Sequence, residues 1–319
     1  MRRKDRTYPI LVGLFLLFSG AVFFTPRWFS FLLTVAVARS LVVLGVVLLM
    51  RAGLVSFGQG FFYCIGGYVA GFSSNAFGVT DAGAVVILAA LGAVVAGAIV
   101  GLLLCNYRDI FFAMLTLALS MILYSVIVKN PALGGSDGFN VPPPTILGIS
   151  PEAVDPRVSL PLFTFAVAFL LYALAHRYFL SGFGYAGLAL RMNEIRLEYL
   201  SLSARALVFL KYILAGVLAS VGGALIAYIS GHVDPELAYW TTSGEFVFIA
   251  LLGGTGHVLA PLAGGVVFEV IRSYAFDLAP SLWQMVLGVI LLLMIIFMPE
   301  GLWSLTERFL ERKRDEAAP

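Results

Sequence analysis

Long apolar stretches restrict what this chain can fold into more than any other feature of its sequence. A helix that crosses a bilayer needs about 20 apolar residues, because the hydrocarbon core is about 30 Å thick. Only 12% of the 319 residues are charged, whereas about 25% is usual in a soluble domain. The sequence therefore predicts an all-α fold, a polytopic membrane helix bundle that forms a single domain over 1–319. Its clearest spans are 8–25, 31–50, 82–104, 110–128, 160–180, 206–229 and 282–298.

Two further apolar regions, 51–78 and 244–278, are interrupted by glycines. The second is too short for two full spans and a turn, so we expect one span at 61–77, a short or broken one at 244–255 and a nearly complete one at 259–278, about ten spans in all. Non-helical backbone is tolerated at membrane depth only where protein buries it or where it lines a cavity. The two breaks are therefore predicted to mark a path through the membrane. Its candidate residues are Ser56, Gly58, Gln59, Glu245, Gly253, Gly254 and Gly256.

The basic residues predict the orientation of the bundle. If both termini are cytoplasmic, only Arg27, Lys129 and Arg157 fall outside, while Arg39 and Arg272 fall within spans. This excess of Lys and Arg on one side follows the positive-inside rule. The segment 129–159 is then a periplasmic loop, 181–205 a cytoplasmic segment and 304–319 a cytoplasmic tail. Ten spans also allow two five-span halves in inverted orientation, a common plan in transporters.

Ionisable side chains inside spans are costly, so each requires an explanation. We expect Arg39 to pair with a carbonyl or an acid between helices, and Glu269 to pair with Arg272 three residues later. Glu245 is either the cap at the start of a short helix, where the helix dipole stabilises a carboxylate, or a group on the path. Asp137 lies in a glycine-rich stretch typical of a turn, with contact to a docking protein as the alternative.

The segment 181–205 predicts an amphipathic helix. Leu188, Met192, Ile195 and Tyr199 recur at i, i+4, i+7 and i+11, which places them on one face. The neighbouring polar edge holds Arg191, Glu194 and Glu198, and the first two are spaced to pair. The helix lies either on the membrane surface or in a groove of a cytoplasmic protein. The mixture of acids and bases favours a protein partner, because surface helices prefer Lys and Arg.

Several short stretches, taken in order, resemble one protein family. They are 52–60 (AGLVSFGQG), 112–118 (FAMLTLA), 134–138 (GGSDG), 189–200 (ALRMNEIRLEYL), 233–236 (VDPE), 243–246 (SGEF), 251–256 (LLGGTG) and 298–302 (MPEGL). As an ordered set they resemble the permease subunits of branched-chain amino acid (LIV-type) ABC importers. The resemblance covers residues 50 to 303.

The resemblance implies a permease of the bacterial inner membrane that forms half of a translocation path. It would carry branched-chain or other small amino acids delivered by a periplasmic substrate-binding protein. Its other partners would be a second homologous permease subunit and two cytoplasmic ATPase subunits. The residues implied to contact an ATPase are Arg191, Asn193, Glu194 and Glu198. ATP and Mg²⁺ would be bound by those partners, because these 319 residues contain no Gly-x-x-x-x-Gly-Lys-Ser/Thr phosphate loop.

Other functions remain as alternatives at this point. Urea, amide, sugar and nucleoside ABC permeases share the general architecture. An ion-coupled secondary transporter would need buried acids, for which Glu245 and Glu269 qualify. A membrane enzyme would need a convergent set of catalytic side chains, and we expect the three histidines to lie apart. A net charge of +2 gives no support for a nucleic-acid partner, and Cys64 and Cys105 have no disulfide or metal-site spacing.

Overall fold

The computed structural model describes residues 7–146, 148, 155–278, 280, 282–298 and 301–304. Residues 305–319 of the predicted cytoplasmic tail therefore lie outside the described residues. So do residues 147 and 149–154 of the predicted loop 129–159. The helices, numbered in chain order, are α1 (Thr7–Phe24), α2 (Arg27–Met50), α3 (Gln59–Asn75), α4 (Ala82–Leu104), α5 (Asp109–Val128), α6 (Pro156–Phe179), α7 (Gly182–Met192), α8 (Glu194–Tyr199), α9 (Ala204–Ser230), α10 (Trp240–Gly253), α11 (Ala260–Leu278) and α12 (Trp283–Phe297).

The all-α membrane bundle is confirmed, although the count of ten spans is not. Six helices among the described residues are long and apolar enough to cross a membrane: α1, α2, α4, α5, α6 and α9. Helices α3, α10 and α12 are shorter, at 17, 14 and 15 residues. The predicted spans at these positions therefore exist as helices, but their crossing of the bilayer remains a prediction.

Helices α2 and α9 form the centre of the bundle. Of the most apolar 18 residues of α2, 94% are buried, against 17% in α1 and 28% in α4, which therefore lie at the periphery. Helices α3 and α9 cross closely, because a Cβ at Gly66 would collide with the Ser220 carbonyl and one at Gly223 with the Tyr63 carbonyl. Small residues of this kind let membrane helices approach to backbone contact.

Gly66 and Gly67 lie within a helix, as the predicted span 61–77 requires, whereas Gly60, which the sequence placed in the first break, also lies within it. Helix α3 is continuous through Gly60, Gly66 and Gly67, and the non-helical residues of the region are 51–58 before it and 76–78 after it. The reason is that the latter glycines serve packing: Gly66 faces α9, and a Cβ at Gly67 would crowd Leu237.

The predicted amphipathic helix of 181–205 is in fact two helices. Asn193 adopts an extended conformation (φ −166°) between α7 and α8, and its side chain accepts a hydrogen bond from the Arg196 backbone N–H at 3.0 Å. Asparagine favours such N-cap positions, so the sequence periodicity was overridden by a local cap. Ser181 and Ser203 cap α7 and α9 in the same way.

The two ends of the bundle are distinct. One end carries α7 and α8 and is called the α7 end. The other, the β end, carries strands β1 (Phe139–Asn140) and β2 (His232–Val233), which pair antiparallel. Asp137 lies here in an exposed turn, as predicted, and accepts a hydrogen bond from the Ser136 hydroxyl at 2.9 Å.

Candidate functional site

Helices α3 and α10 begin inside the bundle rather than at its ends. The segment 51–58 runs inward from the α7 end until the Phe57 N–H donates to Thr116 Oγ1 at 3.2 Å. Thr116 is eight residues into α5, about 10 Å from its start. From the β end, 231–239 runs inward until the Ser120 hydroxyl donates to the Ala238 carbonyl at 2.7 Å. Sequence reasoning missed this second inward segment, which has few apolar residues and no glycine cluster.

The two helix starts meet in the interior. The Gly60 N–H, in the first turn of α3, donates to Ser243 Oγ in the first turn of α10 at 2.9 Å, and both residues are buried. Non-helical backbone at this depth is buried in protein, as the physics of the bilayer requires. Irregular backbone therefore lies inside the bundle, but the second inward segment is 231–239 rather than the predicted break at 253–256.

The first cavity lies at the α7 end and joins both glycine breaks to the segment 181–205, which holds the residues implied to contact an ATPase and which we call the coupling segment. It has a volume of about 370 Å³. Gly53 and Val55 come from the first glycine break, which is residues 51–58, and Gly254 and Thr255 come from the second, which is residues 254–259. Arg191 comes from α7. A Cβ at Gly53 would lie 3.3 Å from Arg191 Cγ, so the first break rests directly on α7. We call this space the α7-end cavity.

Arg51 connects the elements around this cavity. Its Nη1 donates to the Gly256 carbonyl at 3.3 Å, and its guanidinium lies 4.4 Å from the ring centroid of Phe179, at the end of α6. Burial lowers the pKa of Arg51 from its ordinary value, but an arginine stays charged at neutral pH. Sequence reasoning missed Arg51, although a basic residue directly after a long apolar helix was the available signal.

Glu194 is held by a partner that the sequence did not reveal. Arg108, in the turn between α4 and α5, donates to both carboxylate oxygens of Glu194 at 2.9 and 3.1 Å. The predicted pair of Arg191 with Glu194 is therefore wrong, because the chain turns at Asn193 and separates the two side chains onto different helices. A two-point contact of this kind fixes orientation as well as distance.

The predicted apolar stripe faces away from the bundle at three of its four residues, while Leu188 is half-buried. Met192 is 86% exposed, Ile195 66% and Tyr199 84%. Leu197, on the opposite side of α8, is buried against the bundle instead. The stripe is therefore available to a partner. The surrounding polar residues Arg191, Asn193 and Glu198 are also exposed.

A layer of four charges crosses the middle of the bundle. Arg39 of α2 is 7% exposed and donates to Glu245 of α10 and to Glu269 of α11, both at 2.5 Å. This confirms that Arg39 pairs with acids between helices. Arg272 donates to Glu245 at 3.4 Å and lies 4.0 Å from Glu269. The predicted pair of Glu269 and Arg272 is thus the loosest contact of a larger network.

The interpretation of Glu245 as a helix cap is wrong. Helix α10 begins at Trp240, so Glu245 lies in its second turn. The reason is that Thr241 to Gly244 continue the helix upstream, which the apolar pattern alone did not indicate. The carboxylate is stabilised by Arg39 and Arg272 instead of by the helix dipole.

The second cavity opens on the opposite side of this charge layer, toward the β end. Its volume is about 440 Å³, and Arg39, Tyr63, Glu245, Glu269 and Arg272 lie along it. We call it the β-end cavity. Between the two cavities Phe246 is fully buried, with its ring 5.1 Å from that of Tyr63 and 5.5 Å from the Arg39 guanidinium. Along α10, Glu245 of one cavity and Ala250 of the other are about 7.5 Å apart.

Five of the seven predicted path residues line neither cavity: Ser56, Gly58, Gln59, Gly253 and Gly256. Ser56, Gly58 and Gln59 are fully or almost fully buried where α3 begins. The Ser56 hydroxyl accepts a hydrogen bond from the Gly58 N–H at 3.2 Å, which is a local structural contact. Within the part of the chain that the structure describes, the Gln59 side-chain amide has no hydrogen-bond partner.

Two of the three histidines lie close together, contrary to the prediction. The rings of His176 and His257 are 6.3 Å apart, and His257 stacks on Trp303 at 4.3 Å. These contacts gather the end of α6, the second break and 301–304 into one aromatic cluster at the α7 end.

A family model described as "Branched-chain amino acid transport system / permease component" matches residues 28–295. This range contains both cavities, the charge layer and the exposed stripe. The chain belongs to this permease family. The resemblance seen in the short motifs is thereby confirmed.

Two curated relatives support the assignment of this permease. Both are named "High-affinity branched-chain amino acid transport system permease protein LivM", one from Escherichia coli and one from Salmonella typhimurium. Each is 27% identical over 289 residues, which cover 83% of this chain and 67% of the relative. No solved structure matches the chain significantly. A multi-pass inner-membrane transport subunit, rather than an enzyme, fits both the family and the apolar helices.

Proposed function

We propose that this permease is the membrane subunit of an ATP-driven importer for branched-chain or other small amino acids. The family and the LivM relatives support the solute class. The observation that carries the proposal is the α7-end cavity, where Arg191 of the predicted coupling segment and both glycine breaks share one wall. A displacement of α7 therefore acts directly on backbone that borders the path.

The proposed partners follow from the surfaces that the chain presents. A cytoplasmic ATPase subunit receives the stripe of Met192, Ile195 and Tyr199, with Arg191, Asn193, Glu194 and Glu198 beside it. Two such ATPases bind the ATP and Mg²⁺, and a second homologous permease completes the path. Both termini are cytoplasmic in this arrangement. A periplasmic binding protein docks at the β end, where Asp137 is exposed.

A movement of the ATPase can be transmitted to the bundle through three contacts. The Glu194–Arg108 pair joins α8 to the α4–α5 turn, the Arg191–Gly53 contact joins α7 to the first break, and Arg51 joins that break to Gly256 in the second. Because packed interfaces shift between discrete arrangements rather than deforming continuously, a small movement at α7 can be amplified at both breaks.

An ion-coupled mechanism receives less support. It needs acids that are available to bind H⁺ or Na⁺, yet Glu245 and Glu269 both accept hydrogen bonds from Arg39. A coupling ion would have to share each of these carboxylates with the Arg39 guanidinium.

The test begins with the complex that co-purifies with the full chain. The complex is reconstituted in liposomes, and uptake of radiolabelled leucine is measured with and without enclosed ATP and with added binding protein. We expect uptake only when ATP and the binding protein are both present. Recovery of the chain alone as an ATP-independent carrier would overturn the proposal.

A variant series tests the coupling surface in the same preparation. Met192→Ser, Ile195→Ser and Tyr199→Ser together remove the exposed apolar stripe and should abolish co-purification of the ATPase. Phe77→Ser is the matched control, because Phe77 is an equally exposed apolar residue (78%) at the β end. Retention of the ATPase by the triple variant would place the coupling surface elsewhere.

A further inference from the structure

The β-end cavity contains one ion pair that is loose and partly open. Arg39 holds its two acids at 2.5 Å from a buried position, whereas Arg272 lies 3.4 Å from Glu245. The side chain of Arg272 is 35% exposed and that of Glu245 is 21% exposed, against 8% for Arg39. Of the ion pairs in the charge layer, Arg272–Glu245 is therefore the one whose charged atoms a ligand can contact and whose ion pair the ligand can substitute.

Glu245 also has unused hydrogen-bonding capacity. Its Oε2 receives both arginines, while its Oε1 accepts no hydrogen bond from the described residues. A carboxylate can accept several hydrogen bonds through its two oxygens. An ammonium group can thus bind at Oε1 without displacing Arg39.

We propose that the β-end cavity is a subsite for zwitterionic α-amino acids with apolar side chains, in which the ligand inserts into the Arg272–Glu245 ion pair. The ligand's carboxylate binds Arg272 and its α-ammonium binds Glu245. The inference rests on the proposed import of amino acids and adds the group that each charge of the solute contacts.

The chemistry of this exchange is balanced. A zwitterion carries two opposite charges on adjacent groups, so it supplies each side chain with the charge that it loses when the pair separates. A solute with only one of the two groups separates the Arg272–Glu245 contact but replaces only one side of it, and a charged contact that is lost away from water without replacement is costly.

The remaining walls of the cavity support the same ligand class. Phe31 and Val35 of α2 and Ile226 and Ile229 of α9 provide apolar surface for a branched side chain. The volume of about 440 Å³ lies within the range of 300–1,000 Å³ usual for small-ligand sites. Asp234 and Glu236 also line the cavity, so its acids outnumber its arginines. This excess of negative charge disfavours anionic solutes.

The experiment measures binding to the purified complex in nanodiscs without the binding protein, so that only the membrane subunits contribute. The probes are L-leucine, L-leucinamide, which lacks the carboxylate, and 4-methyl-2-oxopentanoate, which lacks the ammonium group. We expect the wild-type complex to bind leucine at least about tenfold more tightly than either analogue, the order expected for a hydrogen bond to a charged group.

Two variants assign the groups individually. Arg272→Gln should remove the preference for leucine over leucinamide and leave the preference over the oxo acid. Glu245→Gln should do the reverse. A general structural defect would weaken all three probes together and change neither ratio. Arg27→Gln is the charge-matched control, because Arg27 is an arginine at the same end of the bundle but does not line this cavity. Its ratios should match those of the wild type.

A third variant keeps the proposal testable if Arg272→Gln prevents assembly of the complex. If Arg272→Gln does not form the complex, Arg272→Lys retains the charge but loses the two-point geometry. We expect it to reduce the leucine-to-leucinamide ratio by a smaller factor.

Several results would overturn the subsite. These are unchanged ratios in the charge-removing variants, equal wild-type affinity for leucine and leucinamide, or no leucine binding up to millimolar concentration. If ATP-driven leucine uptake persists in any of these cases, only the subsite is refuted. If the wild-type complex imports no amino acid at all, the proposed function itself fails.

Discussion

The contact between the first glycine break and α7 can be tested with a single methyl group. Gly53 has φ +80°, and a Cβ there would lie 3.3 Å from Arg191 Cγ. Gly53→Ala therefore has two costs. The left-handed backbone costs an alanine about 1–2 kcal/mol, and the contact is a few tenths of an ångström shorter than the optimal 3.5–4.0 Å. The second cost falls on α7 itself.

Gly78 separates these two costs. It has φ +64°, and a Cβ there would meet nothing within 4 Å. Gly78→Ala thus has the backbone cost without the contact. We expect both variants to lower the free energy of unfolding by about 1–2 kcal/mol, seen as similar decreases in the melting temperature of the complex.

Only Gly53→Ala should alter coupling. A displacement of α7 that costs about 1 kcal/mol changes an equilibrium about fivefold. We therefore expect leucine uptake per ATP hydrolysed to fall two- to fivefold, on the order of that shift, while Gly78→Ala keeps the wild-type ratio. Uptake and ATP hydrolysis are measured on the same liposomes. If the two variants show the same ratio, the contact transmits nothing and the reasoning is wrong.

Three further perturbations follow from the same contacts. Arg108→Glu and Glu194→Arg should each reduce ATP-driven uptake several-fold, and the double charge reversal should restore part of it; no recovery in the double variant would argue against the pair. Arg39→Gln leaves two acids without their buried partner, a loss of about 3–5 kcal/mol, so we expect little folded protein by fluorescence-detected size exclusion and a partial recovery when Glu269→Gln is added. Gly223→Val should prevent the close crossing of α3 and α9, and a normal yield of monodisperse protein would contradict that packing.

The positions of the long helices could be predicted because apolar length alone determines them. The span 82–104 coincides with α4, and the ends of 110–128 and 206–229 lie within two residues of the ends of α5 and α9. The shorter elements depend on local contacts that periodicity does not record. Asn193 divides the predicted amphipathic helix because its side chain caps α8.

The candidate site was predictable in its components and not in its connections. The need of Arg39 for an acidic partner followed from the cost of burying a charge. The identity of that partner did not, because Glu245 and Glu269 are 206 and 230 residues away along the chain. Gly53 and Arg191 are likewise brought together only by the fold, as are Arg108 and Glu194.

The short distance between the two cavities has an electrical consequence. Where water enters from both sides, a membrane voltage falls mainly across the dry layer around Phe246, about 7.5 Å thick along α10, rather than across about 30 Å of hydrocarbon. The field in that layer is then roughly four times stronger than in the surrounding lipid, as the ratio of these thicknesses gives. A solute with no net charge does no net work against this field. The membrane voltage should therefore add nothing to the free energy of importing a neutral zwitterion.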